Sequence, residues 1–520
     1  MNLIDVLYLS PVLALVVFGI VALMVGLCAD RAPKGKLAHY LPSEGLAIAL
    51  TVPVIVLAGG VLYWTITSGP RAMFFAKSGM QPLLMVDGFA AVIGVIAALG
   101  TVVVMLCSLE YFAKRRRHQA EFYSLLMFAT AAIMLAAAAT DFLAIYLSIE
   151  FLSLISYALA AFMKDDKKSS EAGIKYFLFG AVSSAVMLYG ISILFGLTGS
   201  TNLTQVAQGL TSGDPGMVTA PWVATIFVLA GIGFKVALVP FHIWAPDVYQ
   251  GAPTPITAFL SVGSKAAGLA VLTRVLLVAL PDASVNWFTL LLILSAVSMT
   301  FGNLVAIPQQ SIKRMMAYSS IAQVGYIIVG ILAATRTAQG FVPDGLSITA
   351  GQTSFALPGL LIYIFSYLLM NLGAFAVVIA VEKRAGTDDI IEGFSGLAKV
   401  APFYAVSLVV FFLSLAGIPP TAGFIGKFYI FGAAIQSAYK PLVILAAIAV
   451  INSVISVYYY FNVVRVMFFQ EPDVIGEIHA APALRIALIT MLAATILVCI
   501  FVQPVANVVH SSLTPFISLR

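Results

Sequence analysis

Apolar residues in this chain come in long runs, and polar residues are confined to short stretches between them. A helix needs roughly 20 mainly apolar residues to cross a bilayer, and fourteen runs are of that order. They predict helices α1 to α8 at 7–28, 44–66, 86–112, 121–139, 141–163, 170–198, 220–242 and 254–278. Helices α9 to α14 follow at 285–306, 311–334, 354–382, 403–437, 440–468 and 482–505. No intervening stretch is long enough for a soluble domain. The longest connectors, near 200–219 and 335–353, are rich in Gly, Ser and Thr. The fold class expected is an all-α polytopic membrane protein.

The first apolar run has no basic residues ahead of it and no small-residue cleavage site behind it, so it reads as a retained helix, not a secretory signal. Composition agrees with the pattern. Hydrophobic residues make up 61% of the 520, and charged ones only 9%, where a soluble domain carries about a quarter. Loops after odd-numbered helices hold seventeen Lys and Arg, and loops on the opposite side hold five. That asymmetry puts the odd-numbered loops in the cytoplasm and both termini outside. The net charge of +5 reflects these loops and does not point to nucleic acid.

Five basic residues lie more than three positions from either end of the predicted helices: Lys175, Lys235, Lys265, Arg274 and Lys427. One carboxylate, Glu150, lies deep in α5. Each costs about 2.5–3.5 kcal/mol at the bilayer centre even on lenient insertion scales, so each needs a reason. Snorkelling to the interface accounts for Arg274 and could account for Lys175. It fails for Lys265, which is mid-helix in "TPITAFLSVGSKAAGLAVL", and for Glu150, whose side chain is short. A structural ion pair could absorb one lysine, but one carboxylate cannot neutralise four. Desolvation and like-charge repulsion disfavour charging them all at once, so some should spend time neutral and exchange protons. A row of such groups is what a proton relay requires.

Two helices carry breaking residues beside a lysine. In α7, Gly231 and Gly233 precede Lys235 and Pro240 follows it. In α12, Pro419, Pro420, Gly423 and Gly426 precede Lys427. Proline removes a backbone donor and clashes with the turn before it. Irregular backbone survives at membrane depth only where protein or water satisfies it, and paired broken helices point to a transport site. Residues 122–135 and 287–300 align without gaps at four identities, pairing α4 with α9. The chain then divides into 1–120, a five-helix unit 121–280, a second and inverted unit 281–470, and a C-terminal helix in 471–520. In both broken helices the prolines lie cytoplasmic of the lysine, which strict inversion does not explain.

Three isolated cysteines and five histidines offer no iron–sulfur or bis-histidine haem spacing, and no nucleotide-binding loop is present. The chain can move protons, but its driving force has to come from a partner.

The segments "GFKVALVPFHIWAPDVYQGAPTPITAFLSVGSKAAG", "SIKRMMAYSSIAQVGY" and "GIPPTAGFIGKFYIF" resemble the subunit N family of the proton-pumping NADH–quinone oxidoreductase, respiratory complex I. The likeness runs over most of the chain, best from about 140 to 465. It implies fourteen helices in two pseudo-symmetric units, α4–α8 and α9–α13. It further implies that Glu150 pairs with Lys235, that Lys175 modulates that pair, that Lys265 is the central relay and that Lys427 controls the outward exit. The lysine of "GFIGKF" resembles subunit N, where the related subunit M shows glutamate. No cofactor is implied in this chain; NADH, flavin, iron–sulfur clusters and quinone would sit in partner subunits. The partners implied are neighbouring antiporter-like subunits and the lipid of a bacterial cytoplasmic membrane. The loop near 335–353 is longer than is usual for the family. Rival readings are a subunit of a multi-subunit cation/proton antiporter, or of a hydrogenase- or ferredoxin-linked relative.

Overall fold

The computed structural model describes residues 3–31, 43–74, 81–112, 119–212, 219–280, 287–338, 355–385, 389–472 and 480–517. Thirteen of the described helices are long and apolar enough to cross a membrane. They match the predicted α1–α11, α13 and α14, from Leu3–Arg31 to Pro482–Ile500. The predicted α12 is instead two half-helices, α12a (Pro402–Ala416) and α12b (Ala422–Gln436). At 15 residues each and about 1.5 Å per residue, neither half alone spans a hydrocarbon core of about 30 Å. Together they occupy the place of the single predicted α12.

The Gly/Ser/Thr-rich connector near 200–219 contains a short helix, Leu203–Ser212. The predicted α14 is interrupted near Phe501, and a further helix, Val502–Ile517, follows. A two-stranded antiparallel hairpin, β1 (Arg71–Met73) with β2 (Leu84–Val86), is the one sheet among the described residues. Most of the long loop near 335–353 lies outside the described residues, as do the basic loop residues Lys34, Lys36, Lys114 and Arg115 to Arg117.

Three helices form the interior. α8 (Thr254–Ala279), α10 (Ile312–Ala338) and α11 (Ala356–Ala385) are buried along almost their whole length. α1, α2 (Ser43–Ser68), α6 (Lys167–Thr198), α13 (Lys440–Phe469) and α14 turn much of their surface outward. This ordering fits a bilayer, where lipid-facing helices need no polar cover and polar groups are sequestered in the middle.

At one end of the bundle, Arg274 of α8 donates to both carboxylate oxygens of Asp87 at 2.9 and 3.0 Å, and to the Ala137 carbonyl at the end of α4 (Gln119–Ala138). Both side chains are buried. Arg274 therefore does not snorkel: a bidentate partner at the start of α3 (Gly88–Phe112) neutralises it inside the protein. At the other end, Asp247 accepts from Arg314 of α10 and from Lys175 of α6, each at 2.7 Å. Beside it, the Thr254 hydroxyl donates to Glu382 of α11, and the buried Lys313 lies 3.9 Å from the same carboxylate.

Candidate functional site

Lys235 stands in the last turn of α7a (Thr219–Val236). The helix stops there because Ala237 turns into the left-handed region, φ +59°, and Pro240 follows. The Phe234 carbonyl accepts from the Ala237 backbone N–H and from Trp244 Nε1, both at 3.0 Å. Trp244 opens α7b (Trp244–Gly251), so the break satisfies its own backbone as membrane depth demands. The Lys235 ammonium is buried and donates to Ser153 Oγ on α5 (Phe142–Ala160) at 2.9 Å.

Glu150 sits one turn earlier on the same face of α5, half-buried, and accepts from Ser184 of α6 at 2.6 Å. It is not within 4.0 Å of Lys235. The expected direct pair is therefore not made: Ser153 holds the ammonium and Ser184 the carboxylate. Lys175 departs further from expectation. It is more than a third exposed and lies 2.7 Å from both Asp247 and Glu171. Nine residues, about 13 Å of helix, separate it from Ser184. Its charge is taken up at the end of the bundle, outside the buried row.

Lys265 is buried at the centre of α8, immediately after a π-helical segment, Leu260–Ser264. Such bulges re-aim a side chain and recur at functional sites. Its ammonium donates to the carbonyl and the hydroxyl of Ser320 on α10, at 2.9 and 2.7 Å, with the Tyr249 ring 6.0 Å away. Gly268, one turn further on, lets α7a approach closely: a Cβ there would stand 2.6 Å from Val236 Cγ1 and 3.4 Å from the Lys235 stem. The first two lysines are thus on touching helices.

Lys427 belongs to α12b but reaches back across the break. Its ammonium donates to the Leu415 and Ala416 carbonyls at the end of α12a, and to Ser453 of α13, each at 3.0 Å. The Tyr326 ring lies 4.4 Å away. Free carbonyls at a helix C-terminus carry partial negative charge, so the ammonium sits where the half-helix dipole favours it. Gly417, at φ +84°, turns the chain out of α12a. At Gly423 any Cβ would collide with the Ser414 carbonyl at 1.9 Å. Together these glycines allow the two halves to abut.

Sequence reasoning missed the hydroxyls and amides between these lysines. Tyr157, Tyr176, Tyr249, Tyr367 and Ser264 all bury side-chain oxygens with no hydrogen-bond partner in the chain. The rings link them: Tyr157 packs edge-on against Tyr176 at 4.8 Å, Tyr176 stacks on Trp244 at 4.3 Å, and Trp244 meets Tyr249 at 6.4 Å. The chain of rings runs from Tyr157 on α5, the helix whose Ser153 holds Lys235, to Tyr249, whose ring lies 6.0 Å from the Lys265 ammonium. Buried hydroxyls are normally paired with protein or ordered water, so these five oxygens are candidates for water-mediated bonds. Beyond Lys265, Asn303, Tyr326, Asn452 and Tyr459 form a bonded network. The available signal was the density of small polar residues in "AYSSIAQVGY" of an otherwise apolar α10.

A membrane-embedded row of lysines on helices broken beside two of them is the architecture of antiporter-like subunits. Residues 139–456 match the family described as NADH:quinone oxidoreductase/Mrp antiporter, TM. The chain is 40% identical to the NADH-quinone oxidoreductase subunit N of Desulfitobacterium hafniense, over 96% of both sequences. It superposes on a chain of respiratory complex I from Thermus thermophilus with a TM-score of 0.74 at 30% identity, covering 96% of this chain and 98% of that one. A chain of the Mrp complex from Dietzia shares the fold, with a TM-score of 0.79 at 20% identity. The chain belongs to the subunit N family of NADH-quinone oxidoreductases.

Proposed function

We propose that this chain conducts protons across the membrane within an NADH–quinone oxidoreductase, driven by electron transfer in partner subunits. The observation that supports it most is Lys265, a buried ammonium at mid-helix held only by the neutral oxygens of Ser320. Among the described residues no carboxylate lies within 4.0 Å of it, so it can exist with or without its proton as neighbouring charges change.

In this reading Glu150 and Lys235 form the entry, Lys265 the middle station and Lys427 the outward exit. Lys175 acts from outside the row, through Asp247 and α7b. Protons pass between Lys235 and Lys265 over water bound by the tyrosine and serine hydroxyls. Pro240, Pro419 and Pro420 supply the breaks that leave helix-end carbonyls free near two of the stations. The chain divides at about 120, 280 and 470 into three leading helices, two inverted units and a C-terminal segment. The cytoplasmic-membrane location with both termini outside rests on the charge asymmetry of the loops. NADH, flavin, iron–sulfur clusters and quinone belong to the partner subunits, among them neighbouring antiporter-like chains.

Glu150→Gln tests the entry. With the charge removed and the Ser184 hydrogen bond retained in kind, NADH-driven proton uptake by membrane vesicles should fall about tenfold, of the order expected for losing one essential group. Wild-type uptake with normal assembly would reduce Glu150 to a structural residue.

A further inference from the structure

Gln323 has no part in the proton relay, although it touches the carbonyl that holds Lys427 and stands on the helix that holds Lys265. Gln323 is buried on α10, three residues after Ser320, and so on the same face as the group that holds Lys265. Its Nε2 donates to the Leu415 carbonyl at 3.0 Å, the same oxygen that accepts from Lys427. Its Oε1 accepts from the Tyr363 hydroxyl on α11. Tyr363 thereby fixes which end of the carboxamide faces Leu415.

We infer that Gln323 is a positioning residue, which holds the end of α12a as a cradle for the Lys427 ammonium and ties that cradle to the helix that holds Lys265. The Leu415 carbonyl is freed by the break in α12 and has two lone pairs. Lys427 takes one and Gln323 the other. When Lys427 gives up its proton or swings away, Gln323 still satisfies and aims the carbonyl, so the cradle is ready for the ammonium to return. A carboxamide carries no exchangeable charge, so Gln323 is not itself a station. The inference rests on the relay reading above.

The test uses the intact complex in membrane vesicles, comparing Gln323→Met, Lys427→Ala and the double variant for NADH-driven proton uptake and for assembly. Met keeps the length and removes both hydrogen bonds. Each single variant should lower uptake at least about threefold, and the double variant should be no worse than Lys427→Ala, because the two losses act through one contact. Wild-type uptake in Gln323→Met, or a double variant that multiplies the two losses, overturns the inference and leaves the relay standing. Wild-type uptake in Lys427→Ala overturns the relay and the inference with it. If Gln323→Met does not assemble, Tyr363→Phe decides. It frees the carboxamide without touching Leu415, and its loss should likewise vanish in the Lys427→Ala background.

Discussion

Lys235, Lys265 and Lys427 share a chemical setting that Lys175 lacks. Each of the three is buried and donates only to neutral oxygens. Lys175 is partly exposed between two carboxylates. Lys175→Ala should therefore reduce proton uptake only about twofold, against about tenfold for Lys235→Ala, since an exposed ion pair contributes little. Equal losses would place Lys175 in the row after all. This contrast marks what was legible in the sequence. Charge at membrane depth singled out the lysines, because an ionisable group there demands an explanation. It set Lys175 apart only by its nearness to a helix end and gave it no partner, because Asp247 is 72 residues away along the chain. The same limit hid Asp87 as the partner of Arg274, 187 residues distant. The hydroxyls were invisible for another reason: a lone Tyr or Ser in an apolar helix has no periodic signature.

At the level of elements, proline and glycine announced both breaks, but their geometry depends on tertiary contacts. α7 ends on Ala237, a residue with a Cβ at φ +59°, where an L-residue other than Gly is disfavoured by about 1–2 kcal/mol. Ala237→Gly should leave the folded complex as stable or stabilise it by up to about 1 kcal/mol, while the β-branched Ala237→Val should destabilise it by more than that. Thermal unfolding of the purified complex would show the order; Val tolerated as well as Gly would mean that the backbone is not held in this region. In α12 the lysine lies after the break instead of before it, which also bears on the sidedness of the prolines. Lys427 folds back onto α12a, so both ammoniums end near the last turn of the first half-helix even though the two lysines occupy different halves. The π-segment before Lys265 had no sequence signal, since Leu260–Ser264 reads as ordinary helix.

Across the whole molecule, contacts at the two ends of the bundle hold the row between them. Asp87 and Arg274 tie α3 to α8 at one end, and Asp247, Arg314 and Lys175 tie α7b to α10 and α6 at the other. Removing one partner of a buried pair typically costs about 3–5 kcal/mol, whereas replacing both by apolar residues is often neutral. Asp87→Ala should therefore deplete the assembled complex, and Asp87→Leu combined with Arg274→Met should restore it. A single variant that assembles like wild type would show that the pair is dispensable. The account as a whole stands on Lys265 exchanging a proton, and replacing that one side chain tests it most directly. Lys265→Arg keeps a charge that cannot be released in the working range, and Lys265→Met keeps the packing without the charge. The measurement is NADH-driven proton uptake by vesicles containing equal amounts of assembled complex. The account predicts that Arg and Met both lower uptake by about tenfold or more. If the Arg variant pumps like wild type, Lys265 is a fixed charge and the proton path runs elsewhere.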